Sequence, residues 1–88
     1  MKVILSPRAE KQLKKLPKID QIAVAKKIRN IRNEKVIIQE EKLKGFSNIF
    51  RTRVGDYRIV YKKIRLEIYI VLIRHRKEVY EILKRLFN

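Results

Sequence analysis

The spacing of apolar positions divides the chain into seven predicted elements. Val3-Ile4-Leu5 is a short apolar run that reads as a first strand. Ser6-Pro7 follows, an N-cap residue ahead of a proline at the first helical position, and so predicts a helix start. Ala9, Leu13 and Leu16 give that helix one apolar stripe, and Pro17 ends it. A second helix is expected from about Lys18 to Asn33, with Val24, Ile28 and Ile31 on one side and Lys26, Lys27, Arg29 and Arg32 elsewhere. Residues 34–49 carry no clear period: Val36-Ile37-Ile38 is an apolar anchor, and Glu40 to Gly45 reads as a loop. Strands are expected at about 50–54 and 57–63, then a long one from Leu66 to about Arg74 that is apolar on both faces, as in a covered central strand. Glu78 to Phe87 closes the chain as a short helix, with Val79, Ile82, Leu83 and Leu86 available for packing. The fold class is therefore α+β, in the order β-α-α-β-β-β-α: an N-terminal strand, a helical hairpin, an antiparallel three-stranded meander and a C-terminal helix. Residues 1–88 are read as a single domain.

The middle hairpin is the most specific stretch. In Arg51-Thr-Arg-Val-Gly-Asp-Tyr-Arg-Ile-Val-Tyr61, the pair Gly55-Asp56 puts glycine where a type II′ turn needs φ > 0. Pairing Val54 with Tyr57 then sets Thr52 against Ile59 and Phe50 against Tyr61, an apolar face on which Tyr57 and Tyr61 read as core. On the opposite face Arg53 sits beside Arg58, with Arg51 two residues along. Like charges across a ladder destabilise a sheet. A row of guanidiniums kept there suits phosphate groups, whose oxygens match the guanidinium fork.

Composition narrows the partners. A net charge of +15 on 88 residues predicts a polyanion, with nucleic acid first, an acidic protein second and a membrane surface a distant third. The densest part is residues 50–65, at +5. Without cysteine, and with one histidine and two aspartates, neither a disulfide framework nor a protein-only metal site is expected, and no cofactor is called for. The longest apolar run, Ile68 to Ile73, is far short of the roughly 20 residues that span a bilayer. The strand-like start carries no signal-peptide core, so a cytoplasmic location is expected.

The hairpin, the upstream Lys42-Leu-Lys-Gly45 and the ending His75-Arg-Lys-Glu-Val-Tyr80 together resemble the RelE/ParE superfamily of bacterial and archaeal toxins. The ending resembles the RelE branch, which cleaves messenger RNA in the ribosomal A site, more than the ParE branch, which poisons DNA gyrase. The resemblance implies that Arg58 contacts the scissile phosphate, that Arg76 is the arginine after the last strand, and that Tyr80 lies near the attacking 2′-OH. It also implies that Arg51 and Arg53 hold RNA, where RelE carries lysines, and Lys42 and Lys44 are candidates to line the same groove. Arg76 and Tyr80 are two residues closer together than their counterparts in the best-known bacterial RelE. The implied partners are an acidic, RelB-like antitoxin, the ribosome and messenger RNA.

Cleavage of RNA without a metal requires deprotonation of the 2′-OH, stabilisation of a pentacoordinate phosphorane and protonation of the 5′-oxygen. Arginines can meet the second need. The proton-transfer roles stay open among Tyr80, His75 and Glu41, the last being about where the YoeB-like branch carries a catalytic glutamate. Tyrosine titrates near pH 10 in model peptides, so Tyr80 as base needs surrounding positive charge. Two alternatives remain in view: a gyrase inhibitor on the same fold, and a non-catalytic RNA-binding module.

Overall fold

The computed structural model describes residues 1–75 and 85–86. Strand β1 (Lys2–Leu5) leads into helices α1 (Pro7–Lys15) and α2 (Lys18–Arg32), followed by β2 (Glu41–Lys42), β3 (Ile49–Val54), β4 (Tyr57–Ile64) and β5 (Glu67–His75). The five strands form one mixed sheet in the order β1-β5-β4-β3-β2, with β1 parallel to β5 and the other neighbours antiparallel. The expected C-terminal helix at Glu78–Phe87 falls largely outside the described residues. Among the described residues no helix is long and apolar enough to cross a membrane.

The helical hairpin forms as its punctuation predicts. Ser6 Oγ accepts the Ala9 N–H at 2.9 Å, and Pro7 occupies the position where a missing N–H costs nothing. Pro17 separates the helices, and the Gln21 amide donates to the carbonyls of Lys14 and Leu16, satisfying groups that the end of α1 leaves open. Ala9, Val24 and Ile31 are buried from the helix side against Ile59, Tyr61, Ile68, Ile70 and Ile73 of the sheet. Alongside β5, α1 also takes over where β1 stops. The Ser6 hydroxyl donates to the Val71 carbonyl at 2.9 Å, and Gln12 Oε1 accepts the Ile73 N–H at 2.8 Å.

The β3–β4 register is the one the turn chemistry predicts: Val54 with Tyr57, Arg53 with Arg58, Thr52 with Ile59 and Phe50 with Tyr61. Gly55 has φ 58° while Asp56 stays out of the left-handed region, the II′ pattern rather than I′.

Two features differ from the sequence expectation. Part of the segment read as loop, Glu41–Lys42, pairs with Arg51 and Phe50 as a short edge strand; two charged residues have no period from which a strand could be read. The second hairpin also closes differently. A sequence reading that closes it on Lys63 and Leu66 pairs Arg58 with Val71 and sets His75 on the face of Arg58. In the structure Ile64 and Glu67 close it, Arg65 takes the left-handed turn position at φ 51°, and a bulge opposite Val60/Tyr61 leaves Val71 as an extra residue. The bulge shifts the upper half of β5 by one residue. Arg58 therefore pairs with Arg74, and His75 pairs with Tyr57 on the other face.

The face of the sheet away from the helices carries a second, smaller core. Leu43, Ile49, Val60, Val71 and Leu72 are buried there, with Phe46 packed on them. A turn at residues 43–46 folds Leu43 and Phe46 onto the sheet, closed by Phe46 N–H to the Leu43 carbonyl at 3.3 Å, with Gly45 at φ 84°.

Candidate functional site

Strand alternation and the bulge together place Arg53, Arg58 and Arg74 side by side on three consecutive strands, all on the face away from the helices. Neighbouring strands are about 5 Å apart, so this is a row of three cations about 10 Å long. Arg51 shares the face, one step along β3. Beyond this row the same face is closed by the small core around Leu43 and Leu72, which gives the cations an apolar floor at one end.

At the β2 edge the row opens into a cleft of about 540 Å³ lined by Ile38, Gln39, Glu40, Glu41, Arg51, Thr52, Arg53 and Arg58. Segment 38–41 is tied to the sheet by side chains. Thr52 Oγ1 donates to the Gln39 carbonyl at 2.6 Å, and Glu40 receives both the Tyr61 hydroxyl and Lys63 Nζ, the latter at 2.6 Å. Burial pushes the Tyr61 hydroxyl far above its ordinary pKa, and its hydrogen bond to the Glu40 carboxylate and that group's charge push it further. Tyr61 is thus a fixed neutral donor, consistent with its reading as core.

Glu41 reports the local field. Arg51 donates to one of its oxygens through Nε at 3.2 Å and Nη2 at 2.8 Å. That hydrogen bond, and then the Arg51 charge, hold the Glu41 carboxyl below the usual carboxylate range, with smaller contributions from Arg58 and Arg53. One exposed carboxylate therefore feels three guanidiniums at once, which is what convergence on a single anion site requires. The contact also engages Arg51 with an internal partner. A carboxylate so stabilised is a weak proton acceptor at neutral pH.

The residues singled out from sequence divide as follows. Arg51, Arg53 and Arg58 come together. His75 stands on the helix side, its ring edge-on to Tyr57 at 6.1 Å. Lys42 pairs with Phe50, which places it on the helix side too, and Lys44 is exposed in the turn after β2. Arg76 and Tyr80 lie outside the described residues. Arg74 is the site residue that the sequence reading passed over. Its signal is hidden, because the apolar run Ile68–Ile73 has no alternation to reveal a bulge.

The family model described as the ParE toxin of type II toxin–antitoxin systems matches residues 3–80. The chain belongs to the RelE/ParE toxin superfamily. It is a toxin of the type II toxin–antitoxin class. Within the superfamily it is similar to RelE structures, consistent with the branch its ending suggests. The isolated RelE toxin of E. coli is 25% identical with a TM-score of 0.74, covering 98% of each chain. A RelE chain from the archaeal RelE–RelB complex of Pyrococcus horikoshii OT3 is 26% identical with a TM-score of 0.72, covering 85% of this chain and 93% of that one. The RelB–RelE antitoxin–toxin complex from Methanococcus jannaschii gives 24% identity and a TM-score of 0.73 over 90% and 96%, a likeness of fold. No curated protein sequence matches as a relative.

Proposed function

We propose that this RelE/ParE-superfamily toxin is a ribosome-dependent, metal-independent endoribonuclease that cuts messenger RNA in the A site. The observation that carries the reading is the row Arg53–Arg58–Arg74, joined by Arg51, on the face of the sheet away from α1 and α2. Arg58 and Arg74 flank the position for the scissile phosphate and stabilise the phosphorane formed when the 2′-OH attacks. Arg51 and Arg53 hold the neighbouring phosphate. Arg74 also precedes Arg76 by two residues, and so restores the spacing to Tyr80 found in RelE. Of the three groups open as general base, His75 faces the other side of the sheet and Glu41 is held ionised by Arg51, which favours Tyr80. Cleavage yields a 2′,3′-cyclic phosphate and a 5′-OH. The partner is an acidic antitoxin that covers the basic face, as the RelB–RelE complexes among the similar structures suggest.

A translation extract with a primer-extension readout tests this. Codon-phased cuts on ribosome-bound message are expected, and their absence at toxin concentrations that stop translation would overturn the reading. The matching family model, described as a ParE toxin, favours gyrase inhibition as a second reading. A supercoiling assay separates the two. Steep salt-dependent RNA binding without cyclic-phosphate product would instead mark a non-catalytic module.

A further inference from the structure

A second cationic concavity lies outside the arginine cleft. It measures about 370 Å³ and is lined by Pro7, Arg8, Lys11, Gln12, Lys15 and Arg74. Four of these six residues are cationic and none is acidic, whereas the arginine cleft also contains Glu40 and Glu41. Arg8, Lys11 and Lys15 are spaced i, i+3, i+7 and so form one stripe on α1 about 10 Å long at 1.5 Å per residue. All three are exposed, and among the described residues none of them makes an ion pair; the α1 pair that does form joins Lys14 to Glu10. The stripe is held in place against the sheet. Gln12, on the same helix face, accepts the Ile73 N–H next to Arg74, and Ser6 binds the Val71 carbonyl.

Arg74 belongs to both sites: it pairs with Arg58 in the sheet and lines the α1 groove. The cations therefore run without a break from Arg53 through Arg58 and Arg74 onto the helix. We propose that the groove between α1 and β5 is a phosphate-backbone track for single-stranded RNA, continuing the strand that crosses the arginine row. The inference rests on RNA being the ligand of that row. At the 3.4 Å rise of a stacked strand, about 10 Å accommodates about three nucleotides. A line of point charges with no aromatic platform reads phosphates and not bases, so the track adds affinity without sequence preference.

The test compares the full chain with the triple variant Arg8→Gln, Lys11→Gln, Lys15→Gln, and with a control of equal charge loss on α2, Lys26→Gln, Arg29→Gln, Arg32→Gln. The probe is a twelve-nucleotide 2′-O-methyl RNA, which cannot be cleaved because its 2′-oxygen is blocked. Losing three phosphate contacts lowers the slope of log affinity against log salt by about 2, which narrows the affinity gap between 50 and 200 mM salt by about 16-fold. The control should change the slope by less than half as much. Equal slope changes in the two variants would reduce the effect to net charge and overturn the track. So would an unchanged slope, or lost affinity for polyglutamate with RNA binding intact. Because no cutting is measured, a toxin that fails to cleave message can still pass this test, and one that cleaves can still fail it.

Discussion

On the helix-covered face of the sheet, Ile59, Tyr61, Ile68, Ile70 and Ile73 are buried against α1 and α2, and Thr52 is buried beside the segment that holds Gln39. On the opposite face the same strands present Arg51, Arg53, Arg58 and Arg74, with a small core beside them. Adjacent residues of one strand thus serve opposite ends. Ile59 excludes water, and Arg58 holds charge beside charge, an arrangement that costs about 0.2–1 kcal/mol for a facing like-charged pair. One face supplies the stability that the other spends on an anion site.

Substitution of these neighbours is the strongest way to break that division. Ile59→Ala removes a side chain with no exposed surface and should cost about 2–5 kcal/mol in denaturant unfolding, as large-to-small core changes do. Arg58→Ala should leave the protein folded and should lower the cutting rate in a translation extract by about 10²–10³-fold, the loss typical of one transition-state donor. If Arg58→Ala unfolds the protein, the two faces are not separable as described.

The next test concerns the end of β5. Arg74→Ala should reduce cutting by about 10²-fold, by the same donor argument as Arg58. His75→Ala, one residue later but on the helix side, should leave cutting within about threefold. The reverse result would mean that the bulge does not set the register.

This pair also shows how far the sequence was legible. The β3–β4 pairing was readable because Gly55-Asp56 admits few turn geometries and alternation fixes the faces on either side of it. The helical hairpin was readable from Ser6, Pro7 and Pro17. The β4–β5 pairing was not, because the run Ile68–Ile73 is apolar throughout and so hides the alternation in which Tyr69 is exposed between buried Ile68 and Ile70, and Ile64-Arg65-Leu66-Glu67 contains no turn residue to pin the closing pair. One bulged residue then changed which side chain stands beside Arg58. Glu41–Lys42 was equally opaque: its pairing is defined by Leu43 and Phe46 packing onto the sheet, a contact with no local signature.

A smaller effect is expected where the arginine face contacts an acid. Glu41→Gln frees Arg51 and removes a negative charge from the cleft, so single-stranded RNA should bind about 2–5-fold more tightly at low salt, the scale of an exposed ion pair. The sign of the pH dependence follows from the depressed Glu41 carboxyl. Above its folded pKa the carboxylate engages Arg51. As pH falls through that lowered value Glu41 becomes neutral, and wild-type affinity should rise to meet that of the variant. Parallel pH curves for the two proteins would show that Glu41 does not compete with RNA for Arg51.

The smallest expected effect bears on the turn that sets the register. Arg65 has φ 51°, a conformation that costs a side-chain-bearing residue about 1–2 kcal/mol and that asparagine tolerates better. Arg65→Asn should therefore raise unfolding stability by about 0.5–1 kcal/mol while leaving cutting unchanged, since the residue lies at the end of the β4–β5 hairpin opposite to Arg58 and Arg74. A gain in stability would confirm that Arg65 holds a left-handed turn position. Cutting supplies the other half of the test: a loss of activity in a stabilised Arg65→Asn would mean that the strained turn and the bulge are coupled, and that relaxing one shifts Arg74 out of line with Arg58.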